Sequence, residues 1–189
     1  MKIIFTTTNK YKIQAAESVL NKYGIEVVGR EVEVDEIQSD SPEEVILDKV
    51  KKCYNKIKKP LIAMDSGLFI EDLGGFPGVY TKFVVKTIGE DGLMKLTKEF
   101  KSNKAYVQRI IGYTDGKVFK TFSSRGNGKI IQEKRGTNGM NYDLVFYVPS
   151  KKKTLAELDL DEQVKVWGDA WDKLAKYLKS RNKKNGRKR

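Results

Sequence analysis

The sequence predicts a mixed domain of helices and strands, α/β or α+β in class, and three observations carry that reading. The chain opens as strand, helix, strand: Lys2–Thr6 is apolar, Asn9–Tyr23 has helical spacing and Ile25–Val28 is again strand-like. Further helical and strand-like segments follow to the C-terminus, with no internal repeat. At 189 residues the chain is long enough for one domain with a real core, or for a domain with a small lobe.

The elements follow in order. In the first helix Ile13, Ala16, Val19 and Leu20 form the apolar stripe. Glu31–Ser41 is an acidic, polar connection. Pro42 takes the first position of the next helix with Ser41 as its cap, and Val45, Leu47, Val50, Cys53, Tyr54 and Ile57 are its apolar positions. Pro60 is expected to stop that helix before a short buried strand at Leu61–Met64. Asp65-Ser66-Gly67 follows at once, and Gly74–Gly78 is a loop whose glycines admit unusual backbone angles. One helix is expected from Tyr80 and another over Gly92–Phe100. Ala105–Tyr113 and Val118–Ser123 read as a hairpin turning at Asp115-Gly116, with strands Arg125–Ile131 and Tyr142–Val148 after it. Asp161–Lys179 reads as one closing helix. Val164, Trp167, Trp171, Leu174 and Leu178 share its spacing, so both tryptophans are expected as packing anchors.

Composition excludes much chemistry. There is no histidine and one cysteine, which rules out Ser-His-Asp and Cys-His catalysis, a Cys/His zinc site within one chain and an internal disulfide. Acid–base or metal work must come from carboxylates, lysines and hydroxyls, and such donors suit a hard ion such as Mg²⁺. Cys53, beside Lys51 and Lys52, reads as a packing residue. No apolar run is long enough to span a membrane and no signal-peptide layout opens the chain, so a cytoplasmic protein with no membrane partner is expected. The net charge is +12, and the last eleven residues carry seven lysines and arginines with no acid. The expected organisation is one domain over residues 1–180 and a basic, disordered tail over 181–189. That tail could reach nucleic acid, but a solvated tail is the favoured reading.

Three polar groups lie at the ends of expected strands. The first is the run Thr7, Thr8, Asn9, Lys10, Tyr11, Lys12, where hydroxyls, an amide, free backbone N–H groups and an ammonium collect at a helix start and suit a phosphate. Ordinary helix capping uses the same residue types. The second is Glu36 and the third is Asp65-Ser66. Strand C-terminal ends converge on a ligand crevice in α/β sheets. Two carboxylates there, Glu36 and Asp65, could hold one Mg²⁺ with several waters, and one of them could take a proton from an attacking water.

These segments resemble the Ham1 family, the nonstandard purine nucleoside triphosphate pyrophosphatases also called inosine triphosphate pyrophosphatases. The resemblance runs from Lys2 to about Leu178. It rests on Thr7-Thr8-Asn9-Lys10-Tyr11-Lys12, Glu36-Ile37-Gln38, Asp65-Ser66-Gly67-Leu68 and Gly75-Phe76-Pro77-Gly78-Val79-Tyr80. Further along it rests on Ala105-Tyr106 with Ile111-Gly112-Tyr113, Lys134-Arg135-Gly136-Thr137, Tyr142-Asp143 and Thr154-Leu155-Ala156-Glu157-Leu158. The resemblance implies an elongated mixed sheet in two lobes with flanking helices and a nucleotide cleft, and a homodimer. It implies Mg²⁺-dependent hydrolysis of ITP, dITP and XTP to the monophosphate and pyrophosphate. By matching position, Thr7–Lys12 would bind phosphates, Lys51 would reach the triphosphate and Glu36 would hold the metal. Asp65 would be metal-linked and the base that activates water. Ser66, Met140, Asn141, Tyr142 and Asp143 would touch substrate.

The chain also departs from the family. Met64 stands where an acid usually precedes the Asp65 position, and Met140 replaces a stacking aromatic. The family's Ser-His-Arg, which reads the 6-keto edge of the purine, is replaced by Lys165-Val166-Trp167 in a shortened segment, and Gln163 falls near a family lysine. The expected function is therefore a pyrophosphatase with altered base specificity. The alternative is a catalytically weak relative that binds nucleotides or nucleic acid.

Overall fold

The computed structural model describes residues 1–139 and 141–186, with side chains as far as Arg181; Met140 and the tail positions 187–189 lie outside the described residues. The strands are β1 (Lys2–Phe5), β2 (Glu26–Gly29), β3 (Leu61–Ile70), β4 (Pro77–Gly78), β5 (Lys104–Thr114), β6 (Phe119–Ile130), β7 (Phe146–Val148) and β8 (Lys153–Thr154). The helices are α1 (Lys10–Leu20), α2 (Pro42–Ile57), α3 (Thr81–Thr97), α4 (Leu160–Val166) and α5 (Ala170–Gly186). Among the described residues the strands form one mixed sheet in the order β2-β1-β3-β5-β6-β7-β8, with β4 paired to β3. The chain divides into two compact units, and β3, β5 and β6 each give residues to both.

The first unit comprises Met1–Asp65, Ile110–Ser123 and the chain from Asp169. β1 pairs in parallel with β2, Lys2 opposite Glu26 and Phe5 opposite Gly29, and in parallel with β3, Phe5 opposite Ile62. α1 is the crossover between β1 and β2; a short 3-10 turn, Asn21–Tyr23, continues it to Gly24, whose φ is 70°. α2 starts as expected, with Pro42 in its first turn and the Ser41 hydroxyl accepting from the Glu44 N–H at 3.3 Å. It ends before Pro60, because Lys58 turns left-handed at φ 56° and sends its N–H to the Tyr54 carbonyl. Ile46, Val50 and Cys53 of α2 pack on Leu61, Ala63 and Ile110. Trp171 of α5 is fully buried, 5.7 Å edge-on from Phe5.

The second unit comprises Ser66–Arg109 and Ser124–Gly168. Its core gathers Leu68, Ile70, Val84, Leu93, Val107, Phe146, Leu155 and Trp167. α3 is broken at Gly89, whose φ is 62°, so the two helices expected from Tyr80 and Gly92 meet at that kink. α4 is capped by Asp159, which accepts from the Glu162 N–H at 2.8 Å.

Several expected boundaries are corrected. β3 does not end at Met64: apolar Leu68 and Ile70 bury again after Asp65-Ser66, and Leu68 and Phe69 pair with Gly78 and Pro77. Gly67 permits that pairing, since a Cβ there would lie 2.6 Å from the Gly78 carbonyl oxygen. The strands expected at Val118–Ser123 and Arg125–Ile131 are one strand, β6. Tyr142 and Asp143 sit on a 3-10 turn, Asn141–Leu144, rather than in a strand. The single closing helix is two, because Gly168 adopts φ 80° between α4 and α5. α5 then runs to Gly186, past the expected helix end at Lys179.

Candidate active site

In the first unit, β1 leads directly into the polar turn. The Thr6 N–H and hydroxyl both go to the Ile62 carbonyl on β3, at 2.9 and 3.2 Å, which fixes the turn to its neighbouring strand. The Asn9 N–H donates to the Thr7 hydroxyl at 3.2 Å, and the Asn9 side-chain oxygen accepts from the Lys12 N–H at 3.2 Å. Asn9 thus caps α1, and Thr8, Asn9, Lys10 and Tyr11 lie exposed at the helix start. The half-buried Lys12 points its ammonium to the Met64 carbonyl at 3.4 Å, beside Asp65. The structure therefore brings the donor turn and the Asp65 segment together.

Glu36 lies in the acidic connection and forms an ion pair with Lys49 of α2. Lys52 donates to the Asp35 carbonyl at 2.8 Å and Lys56 to the Glu33 carbonyl at 2.6 Å. Lys49, Lys52 and Lys56 follow helical spacing, so one flank of α2 holds the connection in place. Lys51 is exposed off that flank. Lys49 is the lysine that pairs with Glu36. The signal was present in the sequence, because the buried positions Val45, Ile46, Val50 and Cys53 set the phase of the helix. Among the described residues no three acidic or cysteine side chains cluster into a ready metal cage. Two carboxylates fit an ion that keeps several waters and leans on a substrate's phosphate oxygens.

In the second unit, Ser66 is half-buried on β3. Asn141 has φ 60° and is exposed at the start of its turn, while Tyr142 and Asp143 are half-buried and Tyr142 packs on the core. Gly139, at φ 85°, leaves room for Asp143: a Cβ would come 2.4 Å from the carboxylate. Met140 lies outside the described residues.

Around Lys165-Val166-Trp167, Gln163 and Trp167 serve the core while Lys165 is exposed. Gln163 is buried and its amide donates to the Leu155 and Leu158 carbonyls at 2.8 and 3.1 Å. The Ser124 hydroxyl donates to the Trp167 carbonyl at 2.6 Å. Trp167 is 6% exposed and the buried Arg109 lies 5.3 Å from its ring. Both tryptophans are packing residues, as expected. Thr154-Leu155-Ala156-Glu157 forms a capping box in which the Glu157 carboxylate accepts from the Thr154 N–H at 2.7 Å.

Comparison with known proteins places the chain in a family. The Ham1 family model matches residues 3–177. A dITP/XTP pyrophosphatase of Pyrococcus horikoshii is 42% identical over 164 residues, covering 86% of this chain and 88% of that protein. One from Thermococcus kodakarensis is 37% identical, covering 95% of this chain and 98% of its own. Among solved structures, the Staphylococcus aureus Ham1 protein superposes with a TM-score of 0.82 at 25% identity, over 96% of this chain and all of that one. A HAM1 protein from Coxiella burnetii superposes at 0.83 with 23% identity, over 95% and 99% of the two chains, which shows the fold. The chain belongs to the Ham1 family.

Proposed function

We propose that this chain is a nucleoside triphosphate pyrophosphohydrolase that cleaves deaminated purine nucleotides, dITP, ITP and XTP, to the monophosphate and pyrophosphate. The observation that carries the reading is the Lys12 ammonium set against the Met64 carbonyl, one residue from Asp65, at a helix start rich in oxyanion donors. The relatives named dITP/XTP pyrophosphatase point to the same substrates.

In this reading Thr7, Thr8, Asn9 and the backbone N–H groups at the start of α1 hold phosphate oxygens, with Lys10 and Tyr11 bordering them. Lys12 neutralises charge there. Lys49, rather than Lys51, adds the second cation, because it is the lysine that faces Glu36. Asp65 accepts the proton of the attacking water. Most of the barrier reduction in such a displacement comes from positioning and charge neutralisation. Glu36 and Asp65 are the residues that would hold Mg²⁺, which supplies Lewis-acid polarisation of the phosphate oxygens when bound. Ser66 and the Met140–Asp143 segment are assigned to the nucleoside by the family resemblance, which also carries the expectation of a homodimer.

Base preference is altered in this reading, since Gln163 and Trp167 serve the core. The test is pyrophosphate release from ITP, XTP, dITP, ATP, GTP, CTP and UTP, with and without Mg²⁺, with Asp65→Asn as control. Mg²⁺-dependent release from the keto purines, abolished in Asp65→Asn, is the expected result. Comparable release from all seven would mean that specificity is lost while the chemistry stands. Release from none would refute the reading.

A further inference from the structure

We propose that the outward face of α5, with the lysines beside it on β6 and after α1, binds the phosphate backbone of nucleic acid. The inference is independent of the hydrolytic reading. From Lys173 to the end of the sequence there are nine lysines and arginines and no acid. In the described part of α5, Trp171, Leu174, Ala175 and Leu178 are buried, and Lys173, Lys176 and Lys179 are exposed on the other side. At about 1.5 Å rise per residue these three span roughly 9 Å of one helix face.

Neighbouring elements extend the row. Lys120 of β6 lies 4.7 Å from the Tyr177 ring, and Lys179 lies 5.2 Å from the ring of Tyr23, next to the exposed Lys22. Three acids lie nearby: Asp169 pairs with Lys173 at 2.8 Å, Asp115 pairs with Arg181 at 2.5 Å, and Asp172 accepts from the Tyr23 hydroxyl at 2.7 Å. Among the described residues Lys22, Lys120, Lys176 and Lys179 form no ion pair. The row therefore carries more lysines and arginines than acids, and two of its lysines, Lys120 and Lys179, rest on aromatic rings.

Charge complementarity selects the occupant. A nucleic acid presents closely spaced phosphates along a line, and a row of lysines releases its condensed counterions. A lipid surface fits less well, because a helix that enters one needs apolar side chains beside its lysines. The apolar side of α5 is already buried in the first unit's core.

The experiment is fluorescence anisotropy of the full chain with labelled 30-nucleotide single-stranded and duplex DNA and the matching RNA, at about 50–200 mM salt. Binding that falls steeply with salt is expected. Lys176→Ala/Lys179→Ala should weaken it about tenfold at low salt and reduce the salt slope by about two. Lys95→Ala/Lys98→Ala removes the same charge from the C-terminal end of α3 and its cap, and should change binding by less than about twofold. Circular dichroism checks that each variant folds, and pyrophosphate release should be unchanged in the α5 variant. No binding by the wild type would overturn the proposal, as would equal loss in both double variants. Binding to phosphatidylserine vesicles with none to oligonucleotides would overturn it in favour of a membrane surface.

Discussion

Glu36→Gln separates a structural role from a chemical one. Glu36 is 49% exposed at its side chain and Lys49 is 20% exposed, so their ion pair stands at the surface. Such pairs contribute about 0.2–1 kcal/mol. Glutamine keeps the shape and one acceptor oxygen for Lys49, and Lys52 and Lys56 still hold the connection through the Asp35 and Glu33 carbonyls. For a chain of this size 1 kcal/mol moves the melting temperature by about 2–4 °C. The variant should therefore melt within about 4 °C of wild type. If the carboxylate helps hold the metal and the developing charge, kcat should fall by at least about 100-fold. The Mg²⁺ concentration for half-maximal rate should also rise. The assays are a thermal melt and a Mg²⁺ titration of pyrophosphate release from dITP. Near-wild-type turnover in a variant that melts many degrees lower would refute the reasoning and make Glu36 a clamp for the acidic connection.

Lys49→Met should reduce pyrophosphate release by at least about tenfold while Lys51→Met leaves it within about twofold, and equal losses would show that the pairing with Glu36 does not select the functional lysine. Tyr113 is 4% exposed and burial pushes its phenol from 10.0 up to about 12. The fold favours the neutral form, so this contribution is full below about pH 10 and is lost as pH rises from about 10 to about 12. Tyr113→Phe should remove on the order of 2 kcal/mol of that alkaline loss in urea melts at pH 9 and 11.5, and parallel pH profiles would contradict this. Gly67→Ala places a methyl 2.6 Å from the Gly78 carbonyl oxygen and 3.0 Å from Phe69 Cε2. Backbone cannot yield as a side chain can, so a cost of about 1–3 kcal/mol is expected, and an unchanged melting temperature would show that β4 shifts freely.

What was legible in the sequence is what depends on neighbours along the chain. The Ser41-Pro42 start of α2, the Asn9 cap of α1 and the Asp115-Gly116 turn are set by residues within a few positions of one another. What was missed depends on partners far away. Asp65-Ser66-Gly67 looks like a turn in isolation, yet it continues a strand because Leu68 and Phe69 find Gly78 and Pro77. Trp167 and Trp171 keep perfect i, i+4 spacing, and the periodicity concealed a break. Gly168 at φ 80° turns the chain, and each tryptophan serves the core of a different unit.

That break bears on how a purine can be distinguished. A side chain that reads a keto group must offer a polar hydrogen in a position a base can reach. Gln163 spends its amide on two backbone carbonyls, and Trp167 has its carbonyl held by Ser124 and its ring against Arg109. Gly126 fixes the segment further, since any Cβ there would lie 2.2 Å from the Val166 carbonyl oxygen. Sliding the helix to expose a new donor would undo all of these contacts together. Of Gln163, Lys165 and Trp167, only Lys165 is exposed, and a flexible ammonium accepts many geometries where a planar guanidinium accepts few. A site built to hydrogen-bond a substrate group gains its discrimination from polar groups left unpaired by the wrong substrate. With the Gln163 amide satisfied by two backbone carbonyls and Trp167 buried in the core, neither residue supplies that penalty. The expected consequence is a smaller ratio of kcat/KM between dITP and dATP, with the chemistry proposed for Asp65 unaffected.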